Sequence, residues 1–140
     1  MSKSKKVEIE KRKRILIVDD DDSLVEVYKA RLEIDGFEVV TKYDGESALK
    51  FLVENEVDLI ILDCMLPKFG GLSILEYLKS KVEGFNTPVL MVSGLDREEY
   101  KEKAKKLGAK GYLIKATVSI SEMIDEVEAV IGKGPMTVSR

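Results

Sequence analysis

Five short apolar runs alternate with segments of helical periodicity, and this alternation limits the fold more than any other feature of the chain. The runs are ILIV (15–18), FEVVT (37–41), DLIIL (58–62), VLMV (89–92) and GYLI (111–114). Helical patterns fill 23–35, 45–54, 72–82, 96–107 and 120–131. In the last, Ile120, Met123, Ile124, Val127, Val130 and Ile131 form one apolar stripe. In the first, Leu24, Val27, Tyr28 and Leu32 are expected on one face, with Gly36 as the stop; Gly108 closes the fourth. Strands alternating with helices call for a parallel sheet covered on both faces. The first, third and fourth runs are almost purely aliphatic, as central strands are. Glu38 in the second, and Lys110 and Tyr112 at the fifth, mark edges. The expected fold is α/β: a doubly wound five-stranded parallel sheet, order 2-1-3-4-5, with five helices and right-handed crossovers.

At 140 residues the chain makes one domain with one core system. We divide it into a basic leader (1–13), a folded domain (14–132) and a tail (133–140) expected to fray. Residues 1–14 hold seven Lys/Arg against two Glu, read here as a solvated extension. No apolar run approaches the roughly 20 residues that span a bilayer, and the leader lacks the apolar core of a secretory signal. A single cysteine, Cys64, allows no internal disulfide and points to a reducing cytoplasm. The absence of histidine excludes His-based triads, His-ligated zinc and phosphorylation on an intrinsic histidine.

Ligands of such sheets bind beyond the carboxyl ends of the strands, where the order reverses between strands 1 and 3. Asp19 and Asp20 follow the first run, Asp63 the third, Ser93 the fourth and Lys115 the fifth. The chain also places Asp21 and Asp22 beside the first pair, and one of these suits the cap of the next helix. Two unit charges about 4 Å apart repel by roughly 4 kcal/mol at an effective dielectric of 20. Three converging carboxylates therefore call for a cation, and an all-oxygen set suits a hard one such as Mg²⁺. Without the ion the cluster stores repulsion, which Asp20→Ala or Asn is expected to relieve. A hydroxyl and an ammonium beside a carboxylate and a divalent ion are what phosphoryl transfer to that carboxylate requires.

The segments ILIVDDDD, LIILDCMLPKFGG, LMVSG and GAKGYLIKA, in this order and over about residues 14–132, resemble the signatures of two-component response-regulator receiver domains. The resemblance is to the stand-alone, chemotaxis-regulator type, and it implies a flavodoxin-like sheet. It implies that Asp63 is the phospho-acceptor, supplied by the phosphohistidine of a sensor histidine kinase or a phosphotransfer protein. Asp20 would bind Mg²⁺ directly, Asp19 partly through water, and the Met65 backbone carbonyl would be a further ligand. Ser93 would hydrogen-bond a phosphoryl oxygen and Lys115 would pair with the group. Tyr112 matches the aromatic that changes rotamer, moving inward on phosphorylation. Output is expected through the face of the fourth helix, fifth strand and fifth helix, toward a target protein or a second copy in a phosphorylation-dependent dimer. The chain would be no enzyme beyond self-phosphorylation and self-dephosphorylation at Asp63, with no membrane span and no DNA-binding domain in its remaining length.

One departure stands out. Ala116 follows Lys115 where the family usually has proline in a cis bond. A cis bond costs about 2.5–4 kcal/mol before a non-proline residue. A trans Lys115–Ala116 bond is therefore expected, with Thr117 or Ser119 capping the last helix. The main alternatives are a receiver-like docking module without phosphorylation and a haloacid-dehalogenase-like phosphatase built on Asp19 and Asp21. The latter needs an acidic pair on a loop beyond Lys115, whereas Glu122, Asp125, Glu126 and Glu128 lie on the polar face of the last helix. A nucleotide or flavin binder lacks a glycine-rich loop after the first strand.

Overall fold

The computed structural model describes residues 12–135. Strands β1 (Arg14–Val18), β2 (Glu38–Lys42), β3 (Leu59–Asp63), β4 (Val89–Ser93) and β5 (Gly111–Ile114) form one parallel sheet in the order β2-β1-β3-β4-β5. Helices α1 (Asp22–Ile34), α2 (Gly45–Glu54), α3 (Gly71–Lys81), α4 (Glu98–Lys106) and α5 (Ile120–Ile131) make the connections. The expected topology holds. Its boundaries shift by a residue or two, and the shift matters at two places: Asp63 and Ser93 are the last residues of β3 and β4 rather than the first beyond them.

Alternation along each strand divides the interior in two. Ile15 and Ile17 of β1, Leu59 and Ile61 of β3, and Leu90 and Val92 of β4 pack with Val25, Tyr28 and Leu32 of α1 and Met123, Ile124, Val127 and Ile131 of α5. Leu16 and Val18, Ile60 and Leu62, and Val89 and Met91 face the opposite way, toward Leu72, Ile74, Leu75 and Leu78 of α3, with Ala48 of α2 and Ala104 of α4. Each fully buried aliphatic side chain contributes about 1.5–3 kcal/mol. Both faces of the three central strands are thus committed to the core, and chemistry is left to their ends.

The stripe expected on α1 is corrected by one residue. Val25 is buried, Leu24 packs only partly, and Val27 is half exposed. At 3.6 residues per turn Val27 sits about 100° around the helix from Tyr28, on the side away from Val25 and Leu32. Asp21 is the cap: its Oδ1 accepts the Leu24 N–H at 3.1 Å. α5 opens with a reciprocal capping box between Ser119 and Glu122. The Lys115–Ala116 peptide is trans, as is every peptide bond among the described residues. Ser119, not Thr117, caps the helix, while the Thr117 and Val118 N–H groups donate to the Ile114 carbonyl at 3.1 and 2.8 Å.

Residues 1–11 and 136–140, and with them most of the expected leader and tail, lie outside the described residues. The first part of the tail, 133–135, lies against the turn between α1 and β2. Gly134 is buried, and a Cβ there would collide with the Asp35 carbonyl. Gly71, at the start of α3, is more confined still. Its N–H donates to the Cys64 carbonyl at 2.9 Å, and a Cβ would run into the Asp63 carbonyl. We expect Gly71→Ala to destabilise the domain by about 2–3 kcal/mol, because backbone, not a movable side chain, blocks the added methyl. Urea unfolding measures this; a loss within error of zero would mean that the β3–α3 loop yields freely.

Candidate functional site: an acidic pocket at the carboxyl edge of the sheet

The pocket is assembled by three strand ends. The β1–α1 turn supplies Asp19 and Asp20, β3 supplies Asp63, and the segment after β5 supplies Lys115. The register that pairs Val18 with Leu62 sets the ends of β1 and β3 side by side. Carboxylate oxygens of Asp19, Asp20 and Asp63 lie within 4.8 Å of one another. Asp19 and Asp63 are only 3% and 2% exposed, whereas Asp20 is open to solvent.

Lys115 binds two of these carboxylates. Its Nζ is 2.9 Å from Asp19 Oδ2 and donates to Asp63 Oδ2 at 3.1 Å. The second oxygen of each is held by backbone: Asp21 N–H donates to Asp19 Oδ1 at 2.9 Å, and Met65 N–H to Asp63 Oδ1 at 3.0 Å. Burial pushes the Asp63 carboxyl up to about 6; the Asp19 charge adds to this, and the Met65 hydrogen bond and Lys115 oppose it. Burial works against the Lys115 ammonium, yet the two carboxylates outweigh it and its pKa is raised. One ammonium facing three carboxylates leaves negative charge uncompensated. With donors that are all oxygen, this arrangement fits a hard divalent cation.

Ser93 and Tyr112 form a second group beside the pocket. Ser93 is buried, and its Oγ accepts the Leu95 N–H at 3.0 Å. The Tyr112 hydroxyl donates to the Leu95 carbonyl, also at 3.0 Å, and the ring packs on the α2–α3–α4 side of the sheet. Ser93 and Tyr112 therefore hold the same residue, Leu95, one by its N–H and the other by its carbonyl. The Tyr112 ring is partly buried.

Two participants escape a reading of the sequence. Cys64, beside the acceptor, is buried with its thiol in side-chain hydrogen-bonding reach of Tyr112 and Ser93, and burial raises its pKa. Tyr28 of α1 is buried within electrostatic reach of Lys115 and Asp19; burial raises its pKa, partly countered by Lys115. A lone cysteine and a tyrosine within an apolar stripe carry no signal that would distinguish them from ordinary core residues.

The geometry also relocates the expected electrostatic strain. Asp20 is exposed, so its repulsion is screened by water. The strain sits on Asp63, which is desolvated. A folded-state pKa above the unfolded one means that folding takes up a proton between about pH 4 and 6, so this group costs stability as pH rises through that window. In EDTA at neutral pH, Asp63→Asn should raise stability by roughly 1–2 kcal/mol, within the 1.36 kcal/mol per pKa unit that the shift allows. The gain should vanish near pH 4, and Asp20→Asn should show little of it. Thermal melts of the variants against pH check this; a gain independent of pH would assign the effect to packing.

The fold and this pocket together define a doubly wound α/β domain with an acidic site at the carboxyl edge of its sheet, and comparison with known proteins gives the family. The profile of the response regulator receiver domain matches residues 15–128, and the chain belongs to that family of two-component signalling. It is 39% identical over 119 residues to the alkaline phosphatase synthesis transcriptional regulatory protein PhoP of Bacillus subtilis (strain 168), covering 85% of this chain and 48% of the relative. It is 36% identical over 118 residues to the transcriptional regulatory protein CpxR of Escherichia coli (strain K12), covering 84% and 49%. The chain thus spans about half the length of these relatives. Among solved structures it resembles the receiver domain of the Francisella response regulator 1452, with TM-score 0.78, 34% identity and coverage of 85% and 96%. It also resembles the chemotaxis response regulator CheY4 of Vibrio cholerae, with TM-score 0.77, 28% identity and coverage of 85% and 98%. Among the described residues no helix is long and apolar enough to cross a membrane.

Proposed function

We propose that Asp63 accepts a phosphoryl group from the phosphohistidine of a sensor histidine kinase or a phosphotransfer protein, in a Mg²⁺-dependent reaction in the cytoplasm. The observation that carries this reading is the convergence of Asp19, Asp20, Asp63 and Lys115 at one sheet edge. Asp19, Asp20 and Asp63, with the Met65 carbonyl, would hold the ion, which supplies neutralisation of phosphoryl oxygens. An Asp63 carboxylate oxygen attacks phosphorus. The P–N bond to the donor imidazole breaks, and the imidazole leaves with the electron pair. Lys115 is placed to pair with a phosphoryl oxygen. The Ser93 hydroxyl, whose oxygen accepts the Leu95 N–H, would turn its own proton to another.

The consequence runs through Leu95. If Ser93 turns toward the phosphoryl group, the Leu95 N–H loses its partner and the loop before α4 adjusts. The Tyr112 hydroxyl holds the Leu95 carbonyl, so the same adjustment would reach Tyr112 and bias the rotamer it takes. α4 suits this role: it has no side-chain cap, and Ala104 is its one buried residue. Output would pass through the α4–β5–α5 face to a target protein or a second copy.

Incubation with Mg²⁺ and acetyl phosphate tests the reading. We expect a mass gain of one phosphoryl group, sensitive to hydroxylamine and located on the peptide containing Asp63. No gain, or a gain on a different peptide, removes the assignment.

A further inference from the structure

A groove with a volume of about 1230 Å³ lies away from the acidic pocket, between α2 and α3 and reaching the amino edge of the sheet. Its walls gather half of the large apolar side chains exposed among the described residues: Val53 at 85%, Phe69 at 54%, Tyr77 at 50% and Val82 at 40%. Contiguous apolar exposure of this kind marks an interaction surface more often than chance. Phe69 is held there at a cost. Lys68 has φ 67°, and Phe69 N–H donates to the Pro67 carbonyl at 2.8 Å, the strained positive-φ form of the γ-turn. Strain that keeps an aromatic ring in water is more informative than an aromatic left exposed by chance.

The lower end of the groove is acidic. Glu38, Glu54, Glu56, Asp58 and Glu83 line it, against Arg12, Arg14 and Lys81, while Glu46 and Lys50 lie farther up α2 toward the carboxyl edge. Arg14 pairs with Glu38 and Lys50 with Glu46, and among the described residues no ion pair engages Glu54, Glu56 or Glu83. The apolar wall from Phe69 to Val82 follows α3, whose 11 residues extend about 16 Å, or three helical turns.

We propose that the α2–α3 groove is a docking site for a basic amphipathic helix of a partner protein, about three to four turns long. Its apolar side chains would seat against Phe69, Tyr77, Val53 and Val82, and its cations against the carboxylates at the lower end. The site is separate from the α4–β5–α5 face and needs no phosphorylation.

The test uses the full chain and three fluorescein-labelled 14-residue peptides: a Leu/Lys amphipathic helix, its Leu/Glu counterpart, and a Leu/Lys scramble without helical periodicity. Anisotropy should show the Leu/Lys helix binding at least about 10-fold more tightly than either control. Val53→Glu and Tyr77→Ala should each weaken it about 5-fold or more, with acetyl phosphate labelling unchanged. Val53 is so exposed that its replacement leaves the core intact. Equal binding of the three peptides, or indifference to both substitutions, overturns the proposal. So does binding that appears only after removal of residues 1–11, or a dimer in sedimentation that Val53→Glu dissolves, since the occupant is then the chain's own leader or a second copy.

Discussion

Asp63→Asn should reduce phosphoryl incorporation from acetyl phosphate by at least about 100-fold while the domain stays folded, because the substitution removes the nucleophile itself. The fold has no reason to fail. The Asn oxygen can still accept the Met65 N–H, and Lys115 keeps Asp19. The informative risk is a substitute acceptor, since Asp19 and Asp20 lie within 4.8 Å of the lost oxygen. Asp19 is tied to Lys115 and to the Asp21 N–H, which should hold it out of line for attack. Residual label on the peptide carrying Asp19 and Asp20 would show that the pocket tolerates a second nucleophile. Ser93→Ala provides a graded companion. It removes one hydrogen bond to a charged group, worth about 1.5–3 kcal/mol, and should slow labelling about 10- to 100-fold without abolishing it. If Asp63→Asn labels as fast as the native chain, the acceptor is elsewhere and the phosphotransfer reading fails.

The second large effect is on the cation. Asp20→Ala should weaken Mg²⁺ binding about 100-fold, read as loss of the Mg²⁺-induced rise in melting temperature, which follows RT ln(1 + [L]/Kd). Asp20 is the clean position. It is exposed and has no ion pair among the described residues, so its removal should take away a proposed ligand and little else. Asp19→Asn should also lose the ion, but it breaks the 2.9 Å contact with Lys115 as well, so its metal-free stability should fall where that of Asp20→Ala does not. A full Mg²⁺ response in Asp20→Ala would show that Asp19 and Asp63 suffice for the site.

The sequence by itself determined the strand order and the membership of the pocket. Aliphatic purity marked β1, β3 and β4 as central and charge marked β2 and β5 as edges, because a strand covered on both faces cannot carry polar side chains in its middle. With the order known, the residue at each strand's carboxyl end had to lie at one edge, and that is where Asp19, Asp20, Asp63 and Lys115 meet. Tertiary structure alone decided what depends on distance and solvent. It placed the strain on desolvated Asp63 rather than open Asp20, although the two carboxylates look alike in the sequence. It turned Val25 inward and Val27 outward on α1, a choice set by which neighbours fill the space above β1. It brought the Cys64 thiol, just past β3, to Tyr112 of β5 and Ser93 of β4, and it gathered Val53, Phe69, Tyr77 and Val82, scattered across 30 positions, into one groove. Periodicity reports which face of an element is buried. It does not report what stands opposite, and the field at a carboxylate or the shape of a groove is made by what stands opposite.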